Sequence, residues 1–480
     1  MDHSVALIST IAAGLGLALI FGLIAVRLKL PALVGYLLAG IVIGPATPGF
    51  VADVGLSQQL SEIGVMLLMF GVGLHFSFGD LLSVRKIALP GAVAQIAVAT
   101  LLGFAAATWW GWDFGASLVF GLALSVASTV VLIRALEDRG ILESVNGRIA
   151  VGWLVVEDLA MILVLVLLPP LASSLVPSET PAQEGVLVTL AWTFGKLAVF
   201  VALMLIVGRR LFPWILALVA RTGSRELFTL CVTAAAVGIA YGSSELFGVS
   251  FALGAFFAGM VMRESHLSFR AAEETLPLRE AFAVLFFVAV GMLFDPMVLV
   301  EEPLRVAVVV AIVMLGKTLA AFVLVLAFRY PLNTALTVSA SLAQIGEFSF
   351  ILAGLGVVLK LLPPEGSSLI LAGALISISL NPLLFRTIEP LQRWIRAHSE
   401  LARRLERPDD PLAQLPMTVD PSRLTGHVLL VGYGRVGRRI AEGLLERGVP
   451  IVVAEQNREI VESLREKSVP AVSGDAAEAE

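Results

Sequence analysis

Thirteen long apolar runs leave this chain one kind of fold. They lie at approximately 4–26, 32–46, 58–75, 87–109, 115–136, 148–172, 186–208, 226–246, 249–262, 277–295, 304–328, 333–359 and 367–388. A bilayer core about 30 Å thick is crossed by about 20 helical residues. In lipid every backbone polar group must find its partner inside the protein, which permits only helices and closed barrels. Runs this long and continuous are helices. At 58% hydrophobic and 15% charged residues, with mean hydropathy +0.92, a soluble domain could not cover the apolar surface. The expected fold is therefore an α-helical polytopic membrane protein in contact with the lipid bilayer. The first run follows Met1-Asp2-His3, with neither a basic leader nor a small-residue cleavage pattern, so it reads as a retained span. A net charge of −5 offers no basic surface for nucleic acid, and Cys231, the single cysteine, excludes a disulfide framework.

Basic residues orient the set. Loops after odd-numbered runs hold Arg27, Lys29, Arg85, Lys86, Arg134, Arg139, Arg148, Arg209, Arg210, Arg221, Arg225, Arg263, Arg270, Arg279 and Arg329. Loops after even-numbered runs offer Arg305 and Lys360. The positive-inside rule then puts the N-terminus outside and the C-terminus in the cytoplasm.

Charge inside the runs is the chemical signal. Glu157 and Asp158 lie nine and ten residues after Arg148, roughly 15 Å deep at about 1.5 Å per residue. A charge there costs about 2.5–3.5 kcal/mol, so the pair needs water, a proton, a cation or a base to answer it. Helix neighbours diverge by about 100°, so one carboxylate can face a wet cavity while the other meets a countercharge. A pair that merely knits helices together is the alternative. Lys317, twelve residues from both Arg305 and Arg329, is the natural countercharge; Lys196, nearer a run end, can snorkel. Two runs are polar in the middle: Ser125-Val126-Ala127-Ser128-Thr129, and Ser341-Leu342-Ala343-Gln344-Ile345-Gly346-Glu347. Such residues also occur at ordinary helix contacts. Gln344 and Glu347 favour a different reading, in which both helices break at the midplane and offer backbone groups to a desolvated cation.

Beyond a charged, Pro-containing linker at 397–425 the pattern changes. A short apolar strand precedes Gly432-Tyr433-Gly434-Arg435-Val436-Gly437, then a helical stretch, then a strand ending in Glu455, 23 residues after the first glycine. This is a Rossmann-like βαβ unit whose turn can hold a phosphate and whose acid can accept from a ribose. The pattern stops after Gly474-Asp475-Ala476, short of a complete doubly wound sheet.

These motifs, with Phe251–Phe256 and Phe286–Met292, resemble Kef-type monovalent cation–proton antiporters, most closely the YbaL-like subgroup, over essentially the whole chain. The resemblance implies an inverted-repeat antiporter fold of 13 helices, with runs five and twelve broken and crossed. It implies a homodimer in the bacterial inner membrane, with a cytoplasmic RCK/KTN nucleotide-binding domain. By position it assigns cation binding (K⁺ or Na⁺) to Asp158, the neighbouring unwound segment to Ser128 and Thr129, and the midplane lysine to Lys317. Glu157 is a departure, since relatives commonly carry Gln, Asp or Asn there. The loop Glu264–Glu280, with Glu273 and Glu274, resembles an acidic regulatory loop, and Asp475 a second acid at the nucleotide edge. The domains expected are a 1–396 exchanger, a 397–425 linker and a 426–480 nucleotide-binding domain. K⁺ and H⁺ are the expected substrates, K⁺ favoured over Na⁺, with AMP, NAD or NADH as regulator and no catalytic metal. A nucleotide-gated cation channel and a membrane nucleotide sensor are the rivals. An enzyme is disfavoured, because the last 55 residues leave no room for a substrate domain.

Overall fold

Several helices start on hydroxyl or carboxylate caps placed just where apolar runs begin. The computed structural model describes residues 3–48, 50–75, 78–142, 144–175, 186–398, 426–455, 458–467 and 469–474. The first helices are α1 (His3–Arg27), α2 (Ala32–Ile43), α3 (Val54–His75), α4 (Phe78–Trp109), α5 (Phe114–Leu124), α6 (Thr129–Glu137) and α7 (Val145–Leu175). Next come α8 (Val186–Leu203), α9 (Arg209–Ala220), α10 (Arg225–Phe247), α11 (Phe251–Arg263) and α12 (Ser268–Met292). The short α13 (Val298–Glu301) leads to α14 (Pro303–Ala311), α15 (Thr318–Ala327), α16 (Leu332–Ser341), α17 (Glu347–Val358), α18 (Pro364–Arg386) and α19 (Ile388–His398). Asp113 caps α5, accepting from the Ala116 N–H at 2.8 Å. Ser224 and Ser250 cap α10 and α11 in the same way.

Nine helices among the described residues are long and apolar enough to cross a membrane, and Ala32–Ile43, Phe251–Arg263 and Glu347–Val358 are shorter apolar helices. With α3, every expected run has a helical counterpart in order. Two packing groups emerge. In one, α3 lies on α11 and α12, and α2 on α1 and α12. In the other, α4 packs on α5 and α7, α14 on α18, and α17 on α5 and α18. The α3–α11 crossing depends on glycine: a Cβ at Gly73 would stand 2.1 Å from the Phe256 carbonyl, and one at Gly259 2.1 Å from that of Phe70.

Two expectations are corrected, and one helix was not foreseen. Glu264–Glu280 is not a loop, because α12 starts at Ser268 and carries Glu273 and Glu274. Its charge disguised an amphipathic turn sequence that buries Ala271 and Thr275, four residues apart. Arg209 and Arg210 are not in a loop either. Helix continues through a π segment, Met204–Gly208, into α9. Finally, Arg393, Glu389 and Gln392 hid the amphipathic α19, whose Ile388 and Ile395 pack on the buried cluster of α7 and α16.

The C-terminal unit is a parallel sheet in the order β1 (Val428–Val431), β2 (Ile451–Glu455), β3 (Ala471–Ser473). The crossovers are α20 (Arg435–Glu446) and α21 (Arg458–Glu466). Val428 pairs with Ile451, and Val453 with Ala471. Ile451, Val453, Val461, Leu464 and Ala471 form its core. The expected linker lies outside the described residues from 399 onward, as does Asp475.

Candidate ion site and glycine turn

Spans five and twelve are both interrupted. Residues 125–128 separate α5 from α6, and 342–346 separate α16 from α17. The two gaps cross at backbone contact. The Gly346 N–H donates to the Val126 carbonyl at 3.2 Å. Gln344 grips Ser128 twice: its Oε1 accepts the Ser128 N–H at 2.9 Å, and its Nε2 donates to the Ser128 carbonyl at 3.1 Å. Ser128 also caps α6, its Oγ accepting from the Val131 N–H at 3.3 Å. Its backbone groups are therefore spent on the crossing, while its side chain caps α6 and meets Glu347.

Opposite charges answer opposite helix ends. The fully buried Glu157 accepts the Ala127 N–H through Oε2 at 3.0 Å, beside the N-terminus of α6. Lys317, also fully buried, ends a π segment, Ile312–Lys317, that turns it toward the crossing. Its Nζ donates to the Gln344 carbonyl at 3.2 Å, beyond the C-terminus of α16. The acid thus meets the positive end of one half-helix and the base the negative end of another. Each acts on the other through its charge, and among the described residues no direct ion pair joins them.

Asp158 faces elsewhere. It is 2% exposed, its Oδ2 accepts the Thr129 hydroxyl at 3.0 Å, and its Oδ1 has no partner among the described residues. Glu347, 3% exposed in the first turn of α17, likewise has an unpartnered Oε2. Asp158, Glu347 and Thr129 line a cavity of about 1660 Å³ between the two helix groups, whose wall also includes Lys29, Arg134 and Arg386. Two buried carboxylates with free oxygens on one cavity can take a proton or a desolvated cation.

Three residues not singled out from the sequence complete the frame. Trp153 donates to Gln95 at 2.9 Å, and Gln95 donates to the Ser125 carbonyl at 3.0 Å. Asn381 donates to the Ala340 carbonyl at 2.8 Å. An amide isolated inside an apolar run was the available signal.

In the C-terminal unit Gly432 adopts φ +85°, and a Cβ at Gly437 would stand 2.1 Å from the Gly432 carbonyl. Gly434 caps α20, which opens on Arg435, and Val436 beside it is exposed. Glu455 accepts the Tyr433 N–H at 2.5 Å, tying the end of β2 to the glycine turn. Helix N-terminus and glycine turn together are the arrangement that elsewhere holds a phosphate.

Residues 15–388 match the sodium/hydrogen exchanger transmembrane family. The chain belongs to that family. Residues 428–480 match the TrkA-N domain, so this exchanger-family member carries its α/β unit as a TrkA-N domain. It is 55% identical over 480 residues to the Escherichia coli protein provisionally named cation/proton antiporter YbaL, covering 100% of this chain and 85% of that one. It is 33% identical over 377 residues to Arabidopsis thaliana K(+) efflux antiporter 4, covering 77% and 62%. The fold is that of the sodium proton antiporter MjNhaP1 of Methanocaldococcus jannaschii, with TM-score 0.61 at 16% identity, over 82% of this chain and 99% of that one.

Proposed function

We propose that this exchanger-family member swaps a monovalent cation, K⁺ in preference to Na⁺, for H⁺ across the bacterial inner membrane. One observation carries the reading: Asp158 and Glu347 sit buried with unpartnered oxygens on a cavity walled by basic residues at helix ends and turns. By the positive-inside rule that cavity opens to the cytoplasm, with the N-terminus outside. A dry carboxylate holds a proton or a cation but scarcely both, so a site open to one side at a time enforces exchange. Asp158 is the exchanging group, Thr129 its hydroxyl ligand and Glu347 its companion acid. Ser128 and Gln344 fix the crossing, while Glu157 and Lys317 balance its helix ends. The 1–396 region is the exchanger and 426–480 the regulatory domain, in a homodimer. In the latter, Gly432, Gly434, Gly437 and the α20 N-terminus hold the phosphates of AMP, NAD or NADH, Glu455 takes the ribose, and Asp475, outside the described residues, is the expected second acid. Glu273 remains a candidate contact for that domain. Glu274 is already held by Arg225 at 2.6 Å.

Support for K⁺ comes from the K(+) efflux antiporter relative. The test is proton flux in proteoliposomes driven by K⁺ or Na⁺ gradients, with and without each nucleotide. Asp158→Asn is expected to abolish flux. Wild-type protein that moves K⁺ without protons would establish the channel reading, and intact function in Asp158→Asn would establish the sensor.

A further inference from the structure

The cavity that reaches Asp158 has a rim of the same sign as its proposed cargo. Its wall carries Lys29, Arg134, Arg139, Arg148, Arg279 and Arg386 against Glu137, Asp138 and Glu280. Among the described residues no ion pair engages any of those six basic side chains. Arg139 lies over the Phe385 ring at 4.3 Å and gives one donor to the Ala135 carbonyl at 3.2 Å. Burial, and then the Arg386 charge, hold the Arg139 guanidinium below its ordinary pKa, against the opposing pull of Asp138. Orientation in the membrane explains why arginines face this side. It does not explain why they gather without acid partners around the entrance to two carboxylates.

An anion resolves the conflict, and guanidinium forks match phosphate oxygens in bidentate fashion. We propose that this rim binds a phosphate-bearing anion, seated among Arg134, Arg139, Arg148 and Arg386, and that its occupation obstructs cation entry. Those four arginines belong to α6, the turn after it, α7 and α18, while Lys29 and Arg279 belong to the facing helix group. The source is either a soluble phosphate or the headgroup of an anionic lipid. The binding claim stands apart from the exchange reading; only the obstruction rests on it.

The experiment uses full-length protein in neutral-lipid vesicles, with inorganic pyrophosphate on the face bearing the basic loops and sulfate-free KCl matched in ionic strength as the screening control. Binding is read by calorimetry and exchange by proton flux. Pyrophosphate is expected to bind and to slow exchange. Arg139→Gln/Arg386→Gln is expected to weaken both roughly tenfold or more, the effect of losing two charge-assisted contacts, with basal exchange within about twofold. Arg134→Gln/Arg148→Gln provides a second, independent pair. Glu455→Gln, in the glycine-turn unit, is expected to leave the response intact. In a parallel arm, vesicles containing phosphatidylglycerol replace added pyrophosphate. Arginine-dependent slowing there alone assigns the site to a headgroup and supports the proposal. No binding of pyrophosphate and no arginine-dependent lipid effect, or equal binding by wild type and both double variants, overturns it. Absent exchange in wild type would sink the transport reading while calorimetry still decides the site.

Discussion

Gly346→Ala adds one methyl group at the point where the broken helices cross. The new Cβ would lie 2.2 Å from the Ala127 carbonyl oxygen, 2.5 Å from its carbon and 2.7 Å from the Ser128 nitrogen. All three are main-chain atoms, so no side chain can swing aside. The φ of −109° at Gly346 suits any residue, so the penalty is contact alone. Relief requires the gaps to part by about 1 Å, at an overpacking cost of about 1–3 kcal/mol. Parting stretches the Gly346–Val126 bond of 3.2 Å and the two Gln344–Ser128 bonds of 2.9 and 3.1 Å. At about 0.5–1.5 kcal/mol each, the total reaches about 3–7 kcal/mol, comparable to the whole stability of many proteins. If only about 3 kcal/mol falls on the transport-competent arrangement, its population drops more than a hundredfold. Proton flux in proteoliposomes should fall to roughly 1% or less, with a lower unfolding temperature in detergent. Gly354→Ala, on the same helix with nothing within 4 Å of its new Cβ, is the control and should behave as wild type. Flux within about twofold of wild type for Gly346→Ala, with unchanged unfolding, would refute the contact argument.

Further outcomes follow from the same geometry. Gln95→Leu strands the Trp153 N–H and the Ser125 carbonyl, each worth about 1–3 kcal/mol, and should lower the unfolding temperature clearly. Lys317→Met leaves Glu157 and the Gln344 carbonyl uncompensated and should cost about 3–5 kcal/mol, much of it recovered by adding Glu157→Gln. A thermal double-variant cycle reads that coupling, and strictly additive losses would count against it. Asp113→Ala removes the α5 cap and should cost about 0.5–2 kcal/mol while leaving proton flux unchanged.

Apolar run lengths made the helix order legible, even to the short spans Ala32–Ile43 and Phe251–Arg263, because backbone satisfaction in lipid leaves no other solution. The breaks in spans five and twelve were legible from hydroxyl, amide and carboxylate groups at their centres. Hydropathy failed where helices leave the apolar zone. The α12 start at Ser268, the passage through Arg209 and α19 are all helical segments carrying charge. Their stability comes from one packed stripe, which a window average over all faces erases. Gln95 and Asn381 went unnoticed for another reason. A single amide in an apolar run announces that it needs a partner, but its partners, the Ser125 and Ala340 carbonyls, are backbone groups exposed only once the fold exists.

The Glu157-Asp158 pair shows why adjacency in sequence misleads about electrostatics in a membrane. The two side chains diverge, and each stands with a residue from the second half of the chain: Glu157 with Lys317 at the crossing, Asp158 with Glu347 on the cavity. The first partnership balances fixed dipoles, since every half-helix end at the crossing is a partial charge that never leaves. The second has no such balance, because Asp158 and Glu347 are both acids and both line the cavity; Glu157 also keeps an unpartnered oxygen, but away from it. A site with surplus negative potential in a dry place is stable only while something positive occupies it. In the proposed exchange, the structural pair therefore makes the cavity pair tolerable: by compensating the backbone, Glu157 and Lys317 leave the cavity-facing carboxylates as the charges that an exchanged proton or cation would neutralise.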